Sequence, residues 1–264
     1  MASVDLIDVG VHFLMLHAKS QRLVSSLRNL DLGGVFKENH GKTGVAALEN
    51  INLSLSDGEK LAVIGHNGAG KTTLLRVLAT ILPPTTGRVR ITGEVSALMS
   101  IHLGLDPLAT GNENIKYRAR YMGHSEEEIE AQFRDIADFT ELGEYLDLPL
   151  KSYSSGMKLR LAFAIATAFR PDVLVLDEWL SAGDANFRNK AAERLDKLVE
   201  STGVVVVASH NNDLLARVCK RGIVLQHGRI VFDGPVQDAI ETGQRVSRGE
   251  CVQARPADAV SALR

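Results

Sequence analysis

The run Gly65-His66-Asn67-Gly68-Ala69-Gly70-Lys71-Thr72 fits G-x-x-x-x-G-K-[ST] without a mismatch. The fixed positions answer chemical needs. Glycines let a backbone wrap close to a phosphate with its N–H groups turned inward. Lys71 is placed to neutralise β- and γ-phosphates, and the Thr72 hydroxyl to ligate Mg²⁺. Thr73 follows in the first turn of a predicted helix, whose positive N-terminal end favours the anion. A glycine-rich turn that binds nothing has the same composition. Here, however, an apolar strand precedes the loop and a helix follows it. A nucleotide phosphate is therefore expected at Gly65, His66, Asn67, Gly68, Ala69, Gly70, Lys71, Thr72 and Thr73.

A second constellation lies at 172–178, where Val173, Leu174, Val175 and Leu176 form an apolar run ending on Asp177 and Glu178. By itself this is an ordinary strand-to-turn junction. Paired with a phosphate loop, Asp177 is placed to hold Mg²⁺ through its water shell. Glu178 is then placed to polarise an attacking water as general base. His210 follows the apolar run 204–208 and Ser209. A histidine there can be a plain hydrogen-bonded residue, and it also suits a γ-phosphate sensor.

The elements that must position these groups alternate along the chain. Residues 4–13 read as a strand, and 19–30 show helical spacing with a basic face from Lys19, Arg22 and Arg28. That stretch fits a helix packed on the protein, or one that touches a membrane or a membrane partner. Residues 32–44 read as a surface loop and 46–55 as a half-buried strand. After the Asp57-Gly58 turn come a short strand at 61–64 and a helix at 72–82, stopped by Pro83, Pro84 and Gly87. Residues 112–169 are mostly helical, with a Ser125-x-x-Glu128 capping box and Ser154 before the last stretch. Strands return at 173–176, 204–208, 223–225 and 230–232, and a frayed tail is expected from about Gln244. Apolar strands separated by helices predict an α/β fold with a mainly parallel sheet and a helical insertion.

Composition narrows the partners. Thirty Lys and Arg against 32 Asp and Glu leave a formal net charge of −2, which argues against bulk attraction to nucleic acid while leaving room for a local basic patch, and no nucleic acid is expected. Cys219 and Cys251 are far apart and match no metal-ligand spacing, as incidental thiols in a reducing compartment would be. The apolar stretch 9–16 is interrupted by His12 and has no basic residue before it, unlike a signal peptide. Runs 161–169 and 204–208 fall short of the roughly 20 residues of a membrane helix. The chain is expected to be soluble, with any membrane role supplied by a partner.

Tyr153-Ser154-Ser155-Gly156-Met157, followed by Lys158 and a helix, separates this chain from other phosphate-loop proteins. It resembles the signature of ATP-binding cassette (ABC) ATPases, commonly L-S-G-G-Q. With His210 and with Ser181-Ala182-Gly183-Asp184 past Glu178, five motifs stand in that family's order over roughly residues 4–234. The resemblance implies a P-loop NTPase (RecA-like) core with a mainly parallel sheet, an antiparallel β subdomain and an α-helical signature subdomain. It implies a cassette over 1–243, with the helical subdomain at about 100–168, an N-terminal insertion at about 14–45 and a flexible tail at 244–264. It further implies ATP and Mg²⁺ as ligands and a head-to-tail homodimer in the ATP-bound state. Ser154, Ser155, Gly156 and Asp184 would then serve the ATP held by the opposite P-loop. Phe13 matches the aromatic that stacks on adenine, and it fits a core aromatic as well.

The departures are informative. Ser155 and Met157 stand where Gly and Gln are usual, and Gly183 where Leu is usual. The Gln expected before the helical subdomain is missing. Its place falls near Ile101, where Ser100 or a water would take over its Mg²⁺ contact. Together with the long segment between Phe13 and Val45, these features are similar to the branch that exports lipid-linked polysaccharides such as O-antigen, capsule and teichoic acid. That branch works at the cytoplasmic face of the cell membrane with two copies of an integral membrane permease. Some members carry an added C-terminal carbohydrate-binding domain, for which this chain is too short, so cargo recognition would fall to the permease. Export of another lipid or a drug, and a soluble non-transport ABC role, are the alternatives.

Overall fold

The structure is a computed structural model, and it describes residues 1–14, 35–39, 42–99, 104–177 and 185–250. An antiparallel sheet of four strands has the order β2-β3-β1-β5, from β1 (Ser3–Leu14), β2 (Val35–Asn39), β3 (Lys42–Ser56) and β5 (Thr86–Thr92). A six-stranded sheet is built from β4 (Lys60–Ile64), β6 (Val95–Leu98), β7 (Val173–Asp177), β8 (Val204–Ala208), β9 (Arg221–Gln226) and β10 (Arg229–Pro235). Its order is β10-β9-β4-β8-β7-β6, parallel throughout except for the β9–β10 hairpin.

The central parallel strands are apolar at nearly every position because both faces are covered. Leu174, Leu176, Val205 and Val207 point into a core shared with helices. Val173, Val175, Val204 and Val206 point the other way, into a core shared with the antiparallel sheet and with α1 (Lys71–Leu78). Leu74, Leu75 and Leu78 of α1 are wholly buried there, so the helix that follows the glycine loop is wedged between the two sheets.

The helical layer comprises α2 (Gly111–Tyr121), α3 (Glu126–Thr140) and α4 (Ser155–Ala166). Thr110 with Glu113, and Ser125 with Glu128, form capping boxes that satisfy the first free N–H groups of α2 and α3. Helix α4 is buried nearly all round, as a central helix must be. Phe139, Phe163 and Phe187 meet with centroids 5.8–6.0 Å apart, joining α3 and α4 to α5 (Ala185–Ser201). Helices α6 (Asn212–Val218) and α7 (Val236–Ser247) complete the described residues.

Several expectations need correction. Within 32–44 the described residues form β2 and the start of β3, paired from Val35↔Ala46 to Asn39↔Lys42, because β3 extends past its apolar alternation. Helix α1 ends at Leu78 and not at 82, since Thr80 takes a left-handed φ of 57° and Ile81 and Leu82 both donate to the Arg76 carbonyl. The stretch 112–169 is broken by 3-10 turns at Gly143–Asp147 and Leu150–Ser152. The expected fray at Gln244 is overtaken by α7, which runs to Ser247 because Val246 is buried against Val224 and Ala239. Strands β5 and β6 and helix α5 had no counterpart in the sequence reading. The predicted helix at 19–30 lies outside the described residues.

Candidate phosphate site

β4 ends at Ile64, and residues 65–70 turn the chain into α1. The turn is tight against the antiparallel sheet. Gly70 has φ +108°, and a Cβ there would lie 2.7 Å from the Ala47 carbonyl oxygen, so only glycine fits. Lys71 Nζ donates to the carbonyl oxygens of Gly65 at 2.7 Å and His66 at 3.1 Å, holding the loop closed across its own length. The Thr72 hydroxyl donates to Asp177 Oδ2 at 3.1 Å. Residues 105 positions apart are thus joined where α1 begins and β7 ends.

β8 lies beside β7 with Asp177 paired to Ala208, which puts His210 two residues past that strand end. Ser209 Oγ accepts from Asn211 N, and Asn211 in turn caps α6, so the chain around His210 is fixed on its far side. An open cavity of about 550 Å³ is lined by Asn67, Gly68, Gly70, Lys71, Thr72, Thr73, Asp177 and His210, with Ala47 and Ala208 completing the wall. The structure therefore brings together the loop, the first carboxylate and the histidine singled out in the sequence.

An ammonium, loop N–H groups, a hydroxyl, a carboxylate and an imidazole around one opening can hold a polyphosphate. The donor set also fits Mg²⁺: an exposed hydroxyl and a half-buried carboxylate are hard oxygen donors. Among the described residues no group of three or more His, Cys, Asp or Glu could hold a metal alone. Mg²⁺ commonly shares its coordination between one or two such groups and substrate phosphates.

Other candidates lie elsewhere. Ser154, Ser155 and Gly156 open α4 and do not line the cavity. Ser154 Oγ accepts from Met157 N at 3.2 Å, an ordinary N-cap, and both serines are exposed. A Cβ on Gly156 would meet only Ser154 Oγ, at 3.9 Å, so this helix start is open to an approaching group. Tyr153 anchors it from below: its hydroxyl donates to the Tyr145 carbonyl at 2.6 Å, and burial, with Asp147 nearby, pushes its pKa up. Phe13 is 46% exposed at the end of β1, opposite Val45, and is not a lining residue. Glu178 and Asp184, with 181–183, lie outside the described residues, as do Ser100, Ile101 and His102.

Sequence reasoning missed Ala47 and Ala208, small residues whose only signal is their lack of bulk. It also missed the His227-Gly228 turn, which reaches the loop from β9 and β10. Strands were expected on either side of it, at 223–225 and 230–232, but nothing local says what the turn between them touches.

Comparison with known proteins agrees with this geometry. The sequence model of the ABC transporter family matches residues 48–181, half of the chain. The O-antigen export system ATP-binding protein RfbE of Yersinia enterocolitica is 38% identical over 87% of this chain and 97% of its own length. The teichoic acids export ATP-binding protein TagH of Shouchella clausii is 39% identical over 74% of this chain, which spans 54% of that longer protein. Among solved structures, an ATP-binding subunit of an ABC transporter superposes with a TM-score of 0.66 at 20% identity, over 93% of both chains. A dimeric ATP-binding cassette in a post-hydrolysis state, bound to ADP and Pi, gives 0.64 at 23% identity over 88% of this chain and 98% of its own. These two likenesses speak for the fold alone. With half of the sequence matched and a relative aligned along nearly its whole length, the chain belongs to the ABC transporter family.

Proposed function

We propose that this chain binds and hydrolyses ATP to energise export of a lipid-linked polysaccharide through a separate membrane permease, at the cytoplasmic face of the membrane. The observation that carries the chemistry is the convergence of Lys71, Thr72, Asp177 and His210 on one cavity beside the glycine loop. What supports the cargo class is the naming of the relatives, O-antigen export for one and teichoic acids export for the other. O-antigen, capsule, teichoic acid and related cell-wall glycans share that class.

Lys71 exchanges its two loop carbonyls for the β- and γ-phosphates of ATP, while loop N–H groups and the N-terminal end of α1 take up the remaining charge. Thr72 and Asp177 would hold Mg²⁺, which when bound neutralises charge developing on the phosphates. Glu178 accepts a proton as water attacks the γ-phosphorus. The bond to the β-phosphate oxygen breaks, and ADP and inorganic phosphate leave. His210 contacts the γ-phosphate from the β8 side. Phe13 offers its ring to adenine. Ser154, Ser155, Gly156 and Asp184 belong to the site of a second copy, which explains why the α4 start faces open space here. Residues 1–243, with the remainder of α7 to Ser247, form the cassette, and two cassettes engage two copies of the permease.

Depleting the protein in its host tests the export role. Lipid-linked glycan should accumulate inside while surface glycan falls; normal surface glycan after depletion would overturn it. Co-purification should recover the permease with the chain.

A further inference from the structure

The β9–β10 turn has a feature that sheet formation does not require. Gln226 pairs with Arg229, leaving His227 and Gly228 as the two turn residues, at φ 48° and 76°. Two positive φ values make this a type I′ hairpin, where Asn-Gly is favoured because a bulkier Cβ at the first position is strained. Here an exposed histidine takes that position. Its imidazole meets the ring of His66, the second residue of the phosphate loop, in an edge-type contact with centroids 5.4 Å apart and planes at 62°. His66 is itself oriented, since Nδ1 lies 2.8 Å from the Asn67 carbonyl oxygen. A carbonyl only accepts, so Nδ1 carries the proton.

The backbone contact is more pointed. Gly228 N donates to the Ala69 carbonyl at 2.9 Å, while Glu49 N donates to the Gly228 carbonyl at 2.8 Å. The turn is thereby threaded between the loop and β3. Arg229 reinforces it through two bonds to Glu49 Oε2, at 2.8 and 3.1 Å. In a trans peptide the C=O and the following N–H point in opposite directions. Anchoring the Ala69 carbonyl on the turn therefore turns the Gly70 N–H away from it. Gly70 lines the phosphate cavity.

We propose that His227 and Gly228 are positioning residues of the ATP site: the turn fixes the Ala69–Gly70 peptide plane and the His66 ring, and so presets the loop for phosphate. Neither residue lines the cavity itself. The inference rests on the phosphate-site reading above and adds a third element to it.

Gly228→Ala strains a left-handed position and would place a Cβ 2.6 Å from the Ala47 carbonyl oxygen, displacing the turn from the loop. His227→Ala removes only the ring contact, and His227→Phe restores an aromatic edge. MgATP binding is measured by calorimetry on the intact chain, at a temperature where circular dichroism shows each variant folded. His227→Ala should weaken binding about threefold to tenfold, with kcat at saturating ATP within about twofold, and His227→Phe should recover most of the affinity. Gly228→Ala should show the same split between KM and kcat with a larger shift, and if it does not fold, the His227 pair carries the test. A purely structural turn would lower the melting temperature and leave the dissociation constant unchanged, which overturns the proposal. Lys71→Ala is run alongside. Unchanged affinity in Lys71→Ala overturns the phosphate-site reading and the inference with it. A weakened Lys71→Ala beside unaltered turn variants overturns the positioning role alone.

Discussion

Lys71 spans its own loop, and this geometry decides what its removal should do. Its ammonium is held by the Gly65 and His66 carbonyls at the wall of the cavity where the proposed phosphates would bind. Charge-assisted bonds of this kind are strong, so Lys71→Ala should raise the dissociation constant for ATP by about 10- to 100-fold in a direct titration. Glu178→Gln acts on a different step. Binding should persist while steady hydrolysis falls by about 10²–10⁴-fold, and ATP-bound dimers should accumulate on size exclusion. Rapid turnover by the Glu178→Gln protein would remove that residue as the base. A third prediction concerns Cys219, whose thiol burial pushes up to about 12. It should resist iodoacetamide at pH 8 in the native protein and react only on unfolding, as read by peptide mapping in a Cys251→Ser background. At this scale the sequence was legible wherever spacing is local. The glycine loop and Asp177 follow fixed patterns, and His210 follows a strand whose end is visible in its valines. What was not legible depended on contact between distant segments, as with Ala47 and the His227-Gly228 turn.

Helix starts carry much of the proposed chemistry. Helix α1 presents its N-terminus to the glycine loop of the same chain, whereas α4 presents Ser154 and Gly156 to open space. Ser154 is an N-cap in either case, so two substitutions separate folding from function. Ser154→Ala loses the bond to Met157 N and should cost about 1 kcal/mol of stability. Ser154→Asp keeps a good cap and suits the helix dipole, but sets a carboxylate where a γ-phosphate would arrive. Its melting temperature should hold while ATP hydrolysis collapses. Full hydrolysis by Ser154→Asp would contradict a phosphate contact at this position. Element existence was easiest to read for the buried parallel strands, whose apolar runs have no competing period. β5 was invisible because it alternates Arg88 and Arg90 with only Val89 and Ile91, as a sheet edge does. β6 is four residues long. Helix α5 did carry a signal, Phe187, Ala191, Leu195 and Leu198 at helical spacing, all buried.

The whole molecule separates two half-sites. The P-loop, Asp177 and His210 gather at the C-terminal ends of the parallel strands, while the signature residues stand on the helical layer and reach no part of that cavity. Three phenylalanines spanning α3, α4 and α5 tie that layer to the core, so its helix start is carried on a packed unit. The α/β class and the mainly parallel sheet followed from the alternation of strands and helices. The antiparallel subdomain came only with the family resemblance, because its strands are half polar. Among the described residues the fold supplies a phosphate cradle and, apart from it, the exposed helix start at Ser154, which the proposed head-to-tail pair would bring together. Mixing two inactive proteins tests this most directly. Lys71→Ala breaks the cradle and Ser154→Asp breaks the opposite face. In a head-to-tail pair made of one of each, one composite site has both defects and the other has none. The account predicts that the mixture regains ATP hydrolysis that neither parent shows alone. A mixture as inactive as its parents, with mixed dimers demonstrated, would contradict it.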